Sequence, residues 1–538
     1  MGLVNMVVDI SQLTVKQKIG QLLMVGFEGR TIPSHVERLF RDYHIGSIIY
    51  FRRNVGKTTQ IKQLCDDLQQ LSSQYSSIPL SIAIDQEGGM VARIDQDITV
   101  MPGQMTIGAT GNATHAYDAG AISGMEMAQL GITVNFAPVL DVNNNAQNPV
   151  IGIRSFGENA ELVALFGTQM INGYQDMGVS ACAKHFPGHG DTTADSHYEL
   201  PSVAHNLERI HAIELVPFKA AINANVDMIM TAHVQFPALE PSGKPATLSY
   251  HVLTELLREK LAFNGVIVTD CLEMNAISQG VGVGAGAVEA FKAGADLILV
   301  SHRLERQLAA FDALEAAIES GEISEERLNQ SVERILKLKA LQQQRVLQAQ
   351  SKWIRISDPK SQLICDQMML DAVTLVQDQQ NHLPLANDQQ TLVIWPEVRE
   401  STQVDEAIEQ ELTLGKQLKE LAVSVEEVVI GISPTDEEIA VIIEKLIVQP
   451  AQQIVMGLYN ATFSEGQQKL IQKLKALKLE HLIFISLRNP YDIELLSGED
   501  TYICAYENRP AMIRAIGLVL VGKEPFKGQS PVQLNAAK

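Results

Sequence analysis

Short apolar, β-branched runs alternate with longer amphipathic segments over the first 301 residues of the chain. The runs are 21–27 (QLLMVGF), 44–51 (HIGSIIYF), 79–85 (PLSIAID), 133–142 (TVNFAPVLDV), 179–185 (VSACAKH), 227–236 (DMIMTAHVQF), 264–270 (NGVIVTD) and 296–301 (DLILVS). Segments between them, such as 58–71 and 207–222, space their apolar residues three and four apart, the period of a helix with one buried face. Continuous apolar strands separated by helices imply a parallel sheet covered by helices. Eight such units predict an α/β fold, an N-terminal (β/α)₈ TIM-like barrel. An open, doubly wound sheet is the alternative.

Two helical stretches follow, 305–321 and 324–344, the second with Ser324 at its N-cap position. The Gln-rich stretch 341–353 reads as a connector. The strand rhythm then resumes at 371–377, 391–396, 428–433, 453–459, 481–487 and 502–507. This predicts a smaller α/β sandwich domain, a parallel or mixed sheet with helices on both faces. The expected division is a barrel over 1–345, a connector over 346–360 and a second domain over 361–538. The second domain has no GxGxxG or GxxxxGK[ST] phosphate-binding signature.

Composition narrows the function classes. Sixty-three acidic against 42 basic residues leave a formal charge of −21, which argues against nucleic acid as a partner. The five cysteines (Cys65, Cys182, Cys271, Cys365, Cys504) are odd in number, far apart and without CxxC spacing, which fits a reducing compartment. The first residues lack the marks of a secretory signal, and no run approaches a membrane span. The expectation is a cytoplasmic protein without a membrane partner; its oligomeric state stays open.

The chemistry concentrates in KHFPGHGDTTADSH, 184–197, just past the fifth predicted strand. Its three histidines, two aspartates and one lysine would each need a partner if buried, so an active-site loop explains them better than packing. Asp85 ends the third predicted strand, His233 falls late in the sixth and Asp270 ends the seventh, the edge where such barrels place their sites. His185 and His189 have the i, i+4 spacing of metal ligands, but Pro187 and Gly188 break the helix that spacing needs. No metal or other cofactor is expected. Cys182 and Cys271 adjoin the site segments in apolar surroundings, where thiols are inert. Asp195, two residues from His197, can accept its ring N–H and make it a general acid/base. Asp270 stands where a nucleophile or charge stabiliser belongs. The segment IDQEGGMVAR, 84–93, supplies acceptors, donors and close-approach glycines suited to sugar hydroxyls. Arg154 sits in a long loop after the fourth strand.

The segments IGQLLMVGF, IDQEGGMVAR, APVLDVNNNAQNPVIGIRSFG, KHFPGHGDTTADSH and VIVTD together resemble glycoside hydrolase family 3. The Asp-Ser-His triplet inside the fifth loop resembles its β-N-acetylglucosaminidase branch. The resemblance implies that Asp270 is the nucleophile of a retaining hydrolysis and that His197, paired with Asp195, is the acid/base. It implies that Asp85, Arg93, Arg154, Lys184 and His185 hold the hydroxyls of N-acetylglucosamine. The implied substrate is a small saccharide carrying that sugar, including peptidoglycan-derived fragments. The loop 192–197 is expected to close over bound sugar. Phosphorolysis, β-glucosidase activity and a non-catalytic sugar-binding role remain the alternatives.

Overall fold

The computed structural model describes residues 8–193, 200–397, 412–479 and 481–535. Eight short parallel strands form its first sheet: β1 (Leu23–Val25), β2 (Ser47–Tyr50), β3 (Ser81–Ile84), β4 (Val134–Asn135), β5 (Ser180–Phe186), β6 (Met228–Thr231), β7 (Val266–Val268) and β8 (Ile298–Val300). They pair in the order β8–β1–β2–β3–β4–β5–β6–β7. The circle closes where Val268 bridges Leu297 and the Thr269 amide donates to the Leu297 carbonyl at 3.0 Å. Every residue of these strands is buried, which is why each reads as an unbroken apolar run. The barrel is the predicted one, and each strand lies within its predicted run except β5, which runs one residue further, to Phe186.

The covering helices follow local signals closely. Ser324 caps the helix Glu325–Ala349, its hydroxyl accepting from the Arg327 amide at 3.2 Å. That helix runs through Ala349, so most of the Gln-rich stretch expected as connector is helical; glutamine is nearly as good a helix former as leucine. The stretch 207–222 was expected as one amphipathic segment and is two helices, Leu207–Ala212 and Leu215–Asn223. Pro217 accounts for the break: it has no N–H to donate, and its ring would clash with the carbonyl of Ile213 four residues earlier. Among the described residues no helix is long and apolar enough to cross a membrane.

A second, mixed sheet holds six strands: β9 (Thr374–Gln377), β10 (Thr391–Glu397), β11 (Val425–Gly431), β12 (Gln453–Leu458), β13 (Leu482–Ser486) and β14 (Thr501–Cys504). Their order is β9–β14–β13–β12–β10–β11, with β9 antiparallel to β14 and the other pairs parallel. The edge strand β11 begins three residues before its predicted apolar run. Both faces of its first half are partly open to solvent, so Glu426 and Glu427 are tolerated there and hid that half. The loops after β13 and β14 pack on the barrel: the Tyr491 hydroxyl accepts from Asn143 Nδ2 at 2.9 Å, and Glu507 Oε1 accepts from Thr106 Oγ1 at 2.6 Å.

Candidate active site

A cavity of about 460 Å³ opens at the carboxyl ends of the barrel strands. Asp85, Arg93, Arg154, Lys184, His185 and Asp270 all line it, so the structure brings six of the eight candidate residues together. The other two, Asp195 and His197, lie outside the described residues, as does most of the loop expected to close over sugar.

Strand ends supply the charges. Asp85 follows β3 directly, Lys184 and His185 are among the last three residues of β5, and Asp270 comes two residues after β7. Asp270 is half-buried, and its Oδ1 accepts the Cys271 amide at 2.7 Å. Behind it His233 is buried and does not line the cavity. Its Nε2 lies 3.0 Å from the Cys271 carbonyl, and its Nδ1 lies 2.7 Å from the Thr247 hydroxyl. A carbonyl only accepts, so the ring proton sits on Nε2 and His233 supports the segment carrying Asp270.

The centre of the cavity wall is an array of alternating charges. Lys184 Nζ meets Asp85 Oδ1 at 2.8 Å and Glu87 Oε1 at 2.6 Å. Arg154 grips Glu87 with two parallel bonds, Nε to Oε2 at 2.9 Å and Nη2 to Oε1 at 2.8 Å. Lys184, Glu87 and Arg154 are almost wholly removed from solvent. Burial alone would push the Glu87 carboxyl up, but the two cations together outweigh it and hold the group far below the carboxylate range. Burial would likewise lower Lys184, yet Asp85 and Glu87 outweigh it and raise the ammonium. All three groups are therefore charged at neutral pH. Glu87 was inside the quoted motif 84–93 but not singled out, because its partner Arg154 is 67 residues away.

The histidines of the fifth loop separate into different roles. His185 Nδ1 lies 2.7 Å from Asp141 Oδ2, and the backbone amides of His185 and His189 both donate to Asp141 Oδ1. Burial would raise the Asp141 carboxyl, but His185 and then His189 outweigh it and lower the group. This buried carboxylate, at the end of the fourth predicted run, is a second residue that sequence reasoning missed. His189 Nδ1 lies 2.9 Å from the Thr192 hydroxyl, and burial pushes its imidazole down to about 4 despite Asp141. His189 is thus neutral near pH 7 and unsuited to donate a proton there.

That shift carries a pH dependence. The folded value lies below the unfolded one of about 6.5, so the unfolded chain takes up the proton first as pH falls. Stability tied to His189 is complete above pH 6.5 and declines toward pH 4, by up to about 1.4 kcal/mol per unit. We expect His189→Gln to flatten the fall of the unfolding midpoint across that window. An identical slope in thermal scans of the two proteins at pH 4.5, 5.5 and 6.5 would refute the assignment.

Among the described residues, the group with metal-ligand spacing is Asp191, His205 and Glu214. His205 Nε2 meets Asp191 Oδ2 at 2.6 Å, and the Arg209 guanidinium lies 3.6 Å from Asp191 and 3.4 Å from Glu214, supplying the compensating charge itself. Burial pushes the Cys271 thiol up to about 11 and Cys182 higher still, so neither is a nucleophile at neutral pH.

Comparison with known proteins assigns this geometry to a family. Residues 14–338 match the family model described as the glycosyl hydrolase family 3 N-terminal domain. The chain belongs to glycosyl hydrolase family 3. It is 37% identical over 437 residues to beta-hexosaminidase A of Pseudoalteromonas piscicida, covering 74% of this chain and 73% of that protein. A beta-N-acetylglucosaminidase/beta-glucosidase of Cellulomonas fimi is 26% identical over 546 residues, 97% of this chain and 94% of that one. Among solved structures, a glycoside hydrolase family 3 beta-N-acetylglucosaminidase from Paenibacillus sp. str. FPU-7 superposes with a TM-score of 0.92. It is 48% identical and spans 98% of this chain and all of that one. The family 3 chain described here is a glycoside hydrolase of two-domain architecture.

Proposed function

We propose that this hydrolase is a retaining exo-β-N-acetylglucosaminidase that removes terminal N-acetylglucosamine from small glycosides, peptidoglycan-derived fragments among them. The observation that carries the reading is one cavity holding Asp270 beside the buried Asp85–Lys184–Glu87–Arg154 array. A carboxylate at a strand end and fixed charges that match sugar hydroxyls are what glycosyl transfer needs. The relatives' activities point the same way.

In this reading Asp270 attacks the anomeric carbon as the bond to the leaving oxygen breaks. His197, oriented by Asp195, gives its proton to that oxygen. Water then attacks the anomeric carbon, its proton passes to His197, and the Asp270 carboxylate leaves. Asp85, Arg93, Arg154, Lys184 and His185 hold the sugar. Burial lowers the His189 imidazole and Asp141 engages the His185 Nδ1, which supports His197 as the proton-transferring histidine of the loop. The barrel, 1–345, is the catalytic unit, joined through 346–360 to the second domain, 361–538. Five buried, unpaired thiols fit a reducing, cytoplasmic setting.

The deciding assay compares an aryl β-N-acetylglucosaminide with the matching β-glucoside, each with and without phosphate. Hydrolysis of the first alone, without acceleration by phosphate or formation of a sugar 1-phosphate, is the expected result. Preference for the glucoside, or a sugar phosphate product, would replace this reading with one of its alternatives. For the acid/base, His197→Ala is expected to lose about 10²–10⁴-fold on glycosides with poor leaving groups and much less on activated aryl glycosides. Equal losses along a leaving-group series would remove His197 from the role.

A further inference from the structure

We propose that the second domain sets sugar affinity: Glu507, Arg509 and Asn489 position the two barrel segments that present Glu87 and Arg154. The inference rests on the reading of Arg154 and Lys184 as sugar-holding groups. Three side chains from the loops after β13 and β14 reach across to the barrel, and each ends on main chain beside the charge array. Arg509 Nε donates to the carbonyl of Gly89, two residues past Glu87. Glu507 Oε1 accepts from the Gly103 amide at 3.0 Å and from Thr106 Oγ1 at 2.6 Å. Asn489 Oδ1 accepts from the amide of Ile153 at 3.2 Å, one residue before Arg154.

The packing makes those contacts stiff. Gly89 has φ +54°, donates its amide to the Met101 carbonyl at 2.8 Å, and lies so close to Gly103 that a Cβ would come within 2.6 Å of the Gly103 Cα. A Cβ on Gly88 would sit 2.5 Å from the Pro102 carbonyl oxygen. The Gly88–Gly89 turn therefore rests on 101–103, and Glu507 holds that stretch through the Gly103 amide. The second arm is equally close: Gly152, at φ +45°, leaves room for Asn489 Oδ1 where any Cβ would collide at 2.4 Å. Asn489 is itself held, its amide donating to Asn460 Oδ1 at 3.2 Å and its carbonyl accepting from Ser486 Oγ at 2.8 Å. Glu507, Arg509 and Asn489 are all buried.

Glu87 and Arg154 meet each other only because these two segments are held at the right separation. A shift of about 1 Å is enough to cost about 10²-fold where groups must be oriented. The second domain thus completes the sugar-holding wall without touching sugar, and its residues are positioning residues.

The test measures KM and kcat on an aryl β-N-acetylglucosaminide, with the inhibition constant for free N-acetylglucosamine as a measure of ground-state binding. Glu507→Ala and Asn489→Ala are expected to raise KM and that inhibition constant about ten- to a hundredfold, with kcat changed much less. Glu507→Gln keeps the Oε1 acceptor and should restore near-native KM. Leu474→Ala, a buried position in the second domain away from this interface, controls for stability alone. At temperatures below its unfolding midpoint it should leave KM unchanged. If both alanine variants bind sugar as the native enzyme does, or if Leu474→Ala raises KM as much as they do, the positioning role is overturned. Arg154→Lys separates the two readings. If it leaves KM unchanged, the sugar-holding reading fails; if it raises KM while the interface variants do not, only this inference fails.

Discussion

Asp270→Ala is expected to lose turnover on the order of 10⁶-fold in kcat while keeping the fold, as removal of an essential nucleophile does. The residue is half-buried at a strand end and lines the cavity, so its side chain contributes little to the core. Among the described residues that line the cavity, the other carboxylates are engaged, Glu273 by the amides of His302 and Arg303. Asp85 is engaged by Lys184, and Glu87 is gripped by Arg154 and Lys184. A slow 2-fluoro glycoside should label the peptide containing Asp270 in the native enzyme, because the fluorine slows breakdown of the covalent intermediate. Azide, small enough to enter the space left by the carboxylate, should partly restore turnover in the variant and yield the α-glycosyl azide. Labelling of another peptide, or full activity in Asp270→Ala, would exclude it as nucleophile. Thermal unfolding close to native is part of the expected result, since collapse of the fold would abolish activity for a different reason.

The barrel was legible because its strands are buried on both faces, so composition and periodicity agree. The ends of those strands were legible for the opposite reason: Asp85, Lys184 and Asp270 carry charges, and His185 a polar ring, where a core tolerates none unpaired. What the sequence could not convey was pairing. Glu87 with Arg154 and Asp141 with His185 join residues 67 and 44 positions apart, and no local pattern encodes such contacts. His233 misled in the other direction. It looked like a further member of the site because it sits late in a strand run, yet it is buried behind Cys271. The break in 207–222 was readable from Pro217, whereas the helical Gln-rich stretch was obscured by treating glutamine as linker material. Contacts between the domains were the least legible, because Asn489 and Glu507 act on main-chain atoms of segments more than 300 residues earlier. Asp195 and His197, the most telling pair in the sequence, lie outside the described residues.

Glu87→Gln should produce the largest loss of stability of any substitution at the site, and its pH behaviour can be stated in advance. The native carboxylate neutralises two buried cations, Arg154 and Lys184. Removing one partner of a buried ion pair costs about 3–5 kcal/mol, because the other charge is left without compensation. Glutamine is nearly the same shape, so packing is kept and the effect is that of charge. The folded value of Glu87 lies below the unfolded one of about 4.5. Its contribution is therefore fully present above that pH and is lost only as pH falls through the lower folded value. Across pH 5–8 the difference in stability between native and variant should be constant, and it should shrink in stronger acid as the unfolded native chain protonates this carboxyl. The acid limb of activity in the native enzyme then arises elsewhere. A second substitution checks the cause: Arg154→Met added to Glu87→Gln removes the cation whose carboxylate partner was Glu87 and should recover part of the stability but none of the activity. Denaturant unfolding of native, single and double variants at pH 7 measures both terms. If Glu87→Gln unfolds at the native midpoint, or if the double variant is less stable than the single one, the buried charge array does not hold this wall of the cavity together.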